Sequence, residues 1–221
     1  MDVELYNRFA HRYDLVTTIA SFGIEPIWRL HFSQRAKQLC QQGTIVDVAS
    51  ATGEVAKLVC CSKTYLIDPS SIMMEIARKK LEKKCPHHKF FYLTKRAEEV
   101  EISESVDLIS AFMAVRNFDN LERGIANLAR YLKKGGYFYI VEIVNQPNLL
   151  GKLTLWYLKK IVPKIGKVLT GMEREFYLLG ESVEHISAQK IVESLERVGL
   201  EVVEKGKMFP PIGISILARR R

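Results

Sequence analysis

Through the middle of the chain, short apolar runs rich in β-branched and aromatic residues alternate with longer stretches whose apolar positions recur every three or four residues. The runs at Thr44–Ala49, Thr64–Asp68, Lys89–Thr94, Val106–Ala111 and Tyr137–Val144 predict five strands. Helical spacing over Ser71–Lys84 and Leu121–Leu132 predicts helices between them, with Gly135 and Gly136 ending the second. Strands joined through helices pair in parallel, because a tight turn reverses the chain. Beyond the fifth strand the pattern predicts a helix over Ser187–Val198, with Ser187 as N-cap, then a closing antiparallel hairpin from Leu200–Glu204 and Ile212–Ala218. Ahead of the first strand lie helical patterns at Val3–Ala20 and Glu25–Cys40, separated at Ser21, Phe22 and Gly23, with Pro26 at a helix start.

The reading is therefore α/β: a doubly wound, mostly parallel sheet of seven strands ending in an antiparallel hairpin. One domain is expected, divided into an N-terminal helical lid (1–42), a core (43–145), a helical insertion (146–186) and a closing helix with hairpin (187–221). A length of 221 residues suits that, and 48% hydrophobic with 26% charged residues excludes disordered and fibrous classes. Charge or proline breaks every apolar stretch before ~20 residues, and the start MDVELYNRFAHRYD lacks a signal peptide's order, so a cytoplasmic protein is expected. Cys40, Cys60, Cys61 and Cys85 show no CxxC spacing and read as reduced thiols. The trio Cys85, His87 and His88 lacks a second ligand pair and reads as a polar turn around Pro86, so no metal is expected.

The net charge of +8 invites a nucleic-acid reading, but the basic residues are spread among acidic neighbours and no binding motif accompanies them, so no nucleic-acid partner is expected. One segment differs. Leu149–Met172 carries Lys152, Lys159, Lys160, Lys164 and Lys167 with no acid, and Pro163 divides it into two short helices.

Two sites carry candidate chemistry. In TIVDVASATGEVAKL (Thr44–Leu58) a strand ends in small residues and a helix begins near Gly53, which exposes backbone amides to a polar or anionic ligand, or serves only as a strand-to-helix turn. Asp68 ends the next strand, 21 residues after Asp47, the spacing at which an acid meets a nucleoside's ribose hydroxyls; the alternative is a helix cap near Ser71.

These residues, the strand pattern and the final hairpin resemble a Rossmann-like class I S-adenosylmethionine-dependent methyltransferase. More narrowly, the chain is similar to the quinone-biosynthesis C-methyltransferases that make menaquinone and ubiquinone. Three stretches carry the narrower likeness: Phe9–Arg29 (FAHRYDLVTTIASFGIEPIWR), Val115–Gly136 (VRNFDNLERGIANLARYLKKGG), and Glu142–Ser182, where Ile161–Gly166 and Phe176–Ser182 match family elements.

The resemblance implies S-adenosylmethionine as cofactor and S-adenosylhomocysteine as product. It places the cofactor contacts on Ala49, Ser50, Ala51, Thr52 and Gly53 in the turn, Asp68 at the ribose, Arg96 and Ala97 after the third strand, and Phe112 after the fourth. Ala49 and Ala51 stand where glycine is usual; the first is tolerable at negative φ, the second strained if φ is positive. Arg96 replaces an Asp or Asn and cannot accept a bond from the adenine amino group, so stacking by its planar face is expected instead. Phe112 replaces a small hydroxyl residue, and the family's FGLRN reads Met113–Asn117.

Methyl transfer to a ring carbon needs donor and acceptor held together without water, and a base to raise the acceptor's nucleophilicity. Tyr13, Arg116 and Asn117 are the catalytic candidates: Arg116 to stabilise a phenolate or pair with Asp119 or Glu122, Asn117 to orient the acceptor oxygen, Tyr13 to close over the cofactor or anchor a helix. His11 and Asp14 lie beside Tyr13, His11 reading as surface. A prenylated quinone acceptor implies a peripheral membrane face through 149–171, with the lysines toward headgroups and Leu149, Leu150, Leu153, Trp156 and Tyr157 lining a tail channel, or else a helix packed on the sheet. Two alternatives stay open: another small or lipid-like acceptor, and a binding protein that keeps the fold without turnover.

Overall fold

The computed structural model describes residues 3–41, 43–209 and 211–221, and of Leu5, Glu175 and Leu179 the backbone alone. The five predicted runs form β1 (Thr44–Val48), β2 (Lys63–Ile67), β3 (Lys89–Leu93), β4 (Val106–Phe112) and β5 (Leu132–Ile143); the hairpin is β6 (Leu200–Met208) and β7 (Gly213–Arg220). They join in one sheet of order β3-β2-β1-β4-β5-β7-β6, parallel except where β7 pairs with β5 and β6. Strand order reverses between β1 and β4, so a crevice opens at the carboxyl ends of those strands.

Each strand's alternation sends its apolar side chains to two cores. Val46, Ile109, Phe138 and Ile216 pack against α6 (Leu121–Ala129) and α10 (Ala188–Arg197). Ile45, Leu108, Val141 and Leu217 meet α3 (Ile24–Cys40) and α4 (Glu54–Val59) on the other face, beside α5 (Ser71–Lys84), which covers Leu66. Side-chain caps start the helices where the sequence offers them: Ser70, Asn120 and Ser187 each accept a backbone N–H three residues on.

Three expectations need correction. The α6 helix ends at Ala129, and Gly135 and Gly136 lie inside β5, where the pairing with β4 shifts register between Val106 and Leu108 and Gly135 takes φ 78°. The N-terminal helical run is broken into α1 (Val3–Phe9), a 3₁₀ turn at Ala10–Arg12 and α2 (Tyr13–Ala20). Cys40 and Cys61 are disulfide-bonded, so the reading of four reduced thiols fails for this pair. The packing of α3 on α4 and β1 brings the end of α3 to the start of β2.

Above the crevice sits a layer of helices. The insertion forms α7 (Leu149–Lys160), α8 (Val162–Thr170) and α9 (Arg174–Glu184), with Pro163 at the start of α8. Phe9 stacks on Tyr13 and meets Phe176, Arg12 donates to the Leu169 carbonyl at 2.6 Å, and the Tyr157 hydroxyl donates to the Ala20 carbonyl at 2.6 Å. N-terminal helices and insertion thus form one cover. Among the described residues no helix is long and apolar enough to cross a membrane.

Candidate active site

The crevice is divided into three contiguous cavities that share Ala49 or its neighbours. The largest, about 330 Å³, runs from the β1–α4 turn under the cover and is walled mostly by apolar side chains of α2, α3, α7 and α9. The other two, of about 30 and 20 Å³, lie beside Asp68 and beside Arg96.

The turn is built by strain held from outside. Ala49 and Ala51 take φ of 50° and 45°, and Gly53 takes 76°. Both alanines are thus in the left-handed region, against the negative φ that would have made Ala49 easy to accept. Each such residue costs of order 1 kcal/mol, so the surroundings must fix it. They do: Ser50 N–H donates to the Ile67 carbonyl at 3.1 Å, and Ala51 N–H donates to Asp68 Oδ2 at 3.0 Å. A Cβ at Gly53 would stand 3.1 Å from Ala77 Cβ, so glycine is needed there for both conformation and space.

Asp68 therefore has a structural task beside any ligand role, since its Oδ1 accepts from Ser70 N–H at 2.9 Å; the helix cap of α5 is Ser70, not Asp68. Burial pushes the Asp68 carboxyl up to about 6, while the Ser70 and Ala51 amides pull it down. Around it stand Tyr6, Tyr13, Phe112, Met113 and Asn117. Arg96 and Ala97 line the third cavity, and the Arg96 guanidinium is tied to Asp119 at 2.7 Å.

Of the catalytic candidates, Tyr13 and Arg116 line the main cavity and Asn117 the two smaller ones. Burial raises the Tyr13 hydroxyl well above its ordinary value and Tyr6 to about 12, so both stay protonated donors. The ion-pair partner of Arg116 is Glu142, not Asp119 or Glu122: Glu142 is fully buried and accepts from Arg116 Nη1, from Arg116 N–H at 3.2 Å and from Ile143 N–H at 2.9 Å. Burial pushes Glu142 up and the guanidinium pulls it back. Arg116 Nε is buried with no partner, a donor still to be used. The cover is clasped to the turn as well: Thr52 donates to Asp14 Oδ1 at 2.7 Å, and Lys80 bridges Asp14 at 2.9 Å to Glu54.

Sequence reasoning passed over two acids of the main cavity that each keep a buried oxygen without a partner. Asp47 is 1% exposed in the all-buried β1; Ser110 donates to its Oδ1 at 3.0 Å, and its Oδ2 has no partner. Burial raises it to about 7. The signal was present, since one charge stands among the apolar residues of TIVDV. Glu25 opens α3 and is also raised to about 7, chiefly by burial, with Arg29 at 3.5 Å pulling it down and Asp14 and Glu54 pushing it up. Its Oε2 is likewise buried and unpartnered.

Asp47 carries a stability prediction. A carboxyl whose folded value lies above the ordinary 3.8 holds a proton that the unfolded chain has released, so stability falls as pH rises from about 4 to about 7. Asp47→Asn is expected to be more stable than the parent by on the order of 4 kcal/mol at pH 8 and within about 1 kcal/mol of it at pH 4. Denaturant unfolding at the two pH values checks this, and an equal difference at both would contradict it.

The residues of the insertion that line the main cavity differ from those expected for a tail channel. From α7 and α8 the main cavity takes Thr154, Tyr157, Leu158 and Val162, one helical stripe. Of the five residues expected there, only Tyr157 lines it; Leu149, Leu153 and Trp156, at 73%, 53% and 55% exposure, fall on the opposite face.

Comparison with known proteins agrees with this architecture. A crystallised SAM-dependent methyltransferase of Thermotoga maritima superposes with a TM-score of 0.67 over 99% of both chains at 21% identity, which speaks for the fold. In sequence the chain is 30% identical to the demethylmenaquinone methyltransferase of the same organism over 97% of this chain and 94% of that protein. It is 27% identical to the ubiquinone/menaquinone biosynthesis C-methyltransferase UbiE of Campylobacter jejuni over 91% and 90%. The ubiE/COQ5 methyltransferase family matches residues 2–215. With the sheet order of that fold and a family match over residues 2–215, the chain belongs to the ubiE/COQ5 methyltransferases, S-adenosylmethionine-dependent enzymes.

Proposed function

We propose that the protein methylates a ring carbon of a reduced, demethylated prenyl quinone, the kind of acceptor named for its relatives in Thermotoga maritima and Campylobacter jejuni. The observation that carries this reading is the main cavity, in which the cofactor turn and an apolar space under a helical cover are one continuous volume. S-adenosylmethionine supplies a sulfonium methyl group. The residues present fit such a ligand: Asp68 for the ribose hydroxyls, the small-residue turn of Ala49–Gly53 and the unpartnered Asp47 Oδ2 for the amino-acid end, and Arg96, Ala97 and Asn117 around the base. The cover excludes water, and Phe112, Tyr157, Val162 and Phe176 give the acceptor an apolar bed.

The acceptor's phenolic proton must leave for its ring carbon to become nucleophilic. Glu25 is the group for that role: it lines the cavity, has an unpartnered oxygen and holds a value of about 7 that Arg29 keeps within reach of ionisation. Arg116, still charged beside Glu142 and with Nε unused, is suited to steady the phenolate oxygen. A demethylmenaquinol assayed with labelled S-adenosylmethionine should yield the C-methyl product under reducing conditions, and the oxidised quinone should yield none. Turnover of short-chain phenols with none of the quinol would overturn the reading.

Peripheral membrane contact is part of this proposal. The face of α7 with Leu149, Leu153 and Trp156 is exposed and apolar, Val168 on α8 and Phe22 are 85% and 76% exposed, and Lys152, Lys160 and Lys164 are exposed beside them. Lys159 and Lys167 contribute less, being paired with Glu184 and Glu173. Vesicles containing anionic lipid should sediment the protein, and Trp156→Ala with Leu153→Ala should lower that binding by about tenfold. Equal binding to neutral vesicles and by the double variant would contradict this.

A further inference from the structure

Away from the crevice, the fold assembles a group of side chains that sequence spacing did not join. Cys85 caps the end of α5, and His88 stands three residues on in the turn that enters β3, its N–H donating to the Cys85 carbonyl at 3.1 Å. Cys60 caps α4, in the left-handed region at φ 46°, a conformation that non-glycine residues rarely adopt. The three side chains offer ligand atoms that all lie within 4.8 Å of one another. The Cys60 and Cys85 sulfurs are 2.7 Å apart, and His88 Nδ1 is buried with no hydrogen-bond partner. None of the three lines the cavities of the active site.

We propose that Cys60, Cys85 and His88 bind a zinc ion that ties the ends of α4 and α5 to the start of β3. Two thiolates and an imidazole are a zinc donor set, and the C-x-x-H spacing of Cys85 and His88 is short enough for both to reach one ion. The charges close as well: two thiolates cancel the dication, so the half-buried corner gains no net charge. Binding releases the two thiol protons to solvent, with no electron transferred. A tetrahedral ion at ~2.3 Å from each sulfur holds them roughly 3.7 Å apart, about 1 Å wider than here, a separation that side-chain rotation supplies. The fourth position falls to water or to the Lys57 carbonyl, which lies 3.0 Å from Cys60 Sγ and 3.9 Å from Cys85 Sγ. A Cys60–Cys85 disulfide is the competing use of these sulfurs, but it would leave His88 Nδ1 buried and unsatisfied, whereas the ion engages all three groups. The site would act on the enzyme through α4, whose N-cap is Gly53, next to Thr52 in the turn.

The test uses the full chain, purified with a mild thiol reductant, loaded with zinc and desalted. Elemental analysis is expected to find one zinc per chain, and cobalt(II) is expected to give sulfur-to-metal charge-transfer absorption with tetrahedral visible bands. Cys85→Ser and His88→Gln should each lose the metal and the cobalt bands, while His87→Gln, beside the site, keeps both. If the cysteine variant fails to fold by circular dichroism, the wild-type stoichiometry and the cobalt spectrum decide. Less than a tenth of an equivalent bound with both thiols titrating free, a persistent Cys60–Cys85 disulfide by peptide mapping, or undiminished metal in His88→Gln would each overturn the proposal.

Discussion

Replacing Asp68 with alanine is expected to weaken binding of S-adenosylmethionine and S-adenosylhomocysteine by about a hundredfold. The carboxylate offers hydrogen bonds to two ribose hydroxyls, each worth about 1.5 kcal/mol or more to a charged acceptor, and the sum of ~3 kcal/mol is roughly a hundredfold in Kd. A second loss comes from the protein itself. Asp68 Oδ2 holds the Ala51 amide at 3.0 Å, and Ala51 sits at φ 45° in the turn that faces the donor, so without the carboxylate the strained turn is free to relax. Asp68→Asn separates the two contributions, because the amide oxygen still accepts from one backbone N–H while its NH₂ opposes the other. An intermediate loss is expected there. Titration calorimetry measures both variants, and parental affinity in Asp68→Ala would remove this residue from the site.

Glu25→Gln is expected to lower kcat by about 10² to 10³ while leaving cofactor affinity within a few fold, since general base catalysis contributes on that scale. The pH profile gives the sharper test. With a carboxyl held up to about 7 by burial, the basic form grows as pH rises through 7, so kcat should climb on its acid limb, stand at half its maximum near pH 7 and level roughly one unit above. In Glu25→Gln that limb should vanish. Arg29→Met removes the cation that pulls Glu25 down, so the limb should move to higher pH. An unchanged acid limb in Glu25→Gln would assign the proton to another group, with Asp47 the next to test, because it too is raised to about 7 in the same cavity.

The sheet was legible because its strands are nearly continuous apolar runs punctuated by turns, and the central strands β1 and β4 are buried on both faces. Where local signals were weak, the boundaries moved. Nothing in FAHR marks the 3₁₀ turn that breaks the first helix, and the Leu121–Leu132 pattern ran into β5 because Leu132 continues the helical spacing while pairing with Val106. The turn after β1 was legible as a run of small residues, but its conformation was not. Alanine at positive φ contradicts local preference, and bonds to Ile67 and Asp68, distant in sequence, help to hold it there.

The buried acids of the main cavity were the least legible. At the start of a helix Glu25 reads as a solvated partner of the helix dipole, and its burial follows from helices packed over it from both ends of the chain. The disulfide and the Cys60–Cys85–His88 group depend in the same way on which helix ends the fold brings together.

Isothermal titration of the wild-type chain with S-adenosylmethionine and S-adenosylhomocysteine tests directly the proposal that a turn of strained alanines holds a sulfonium donor. One site per chain with micromolar affinity for either ligand is the predicted result. No heat of binding from either at millimolar ligand would contradict it, and would mean that the crevice serves something other than methyl transfer.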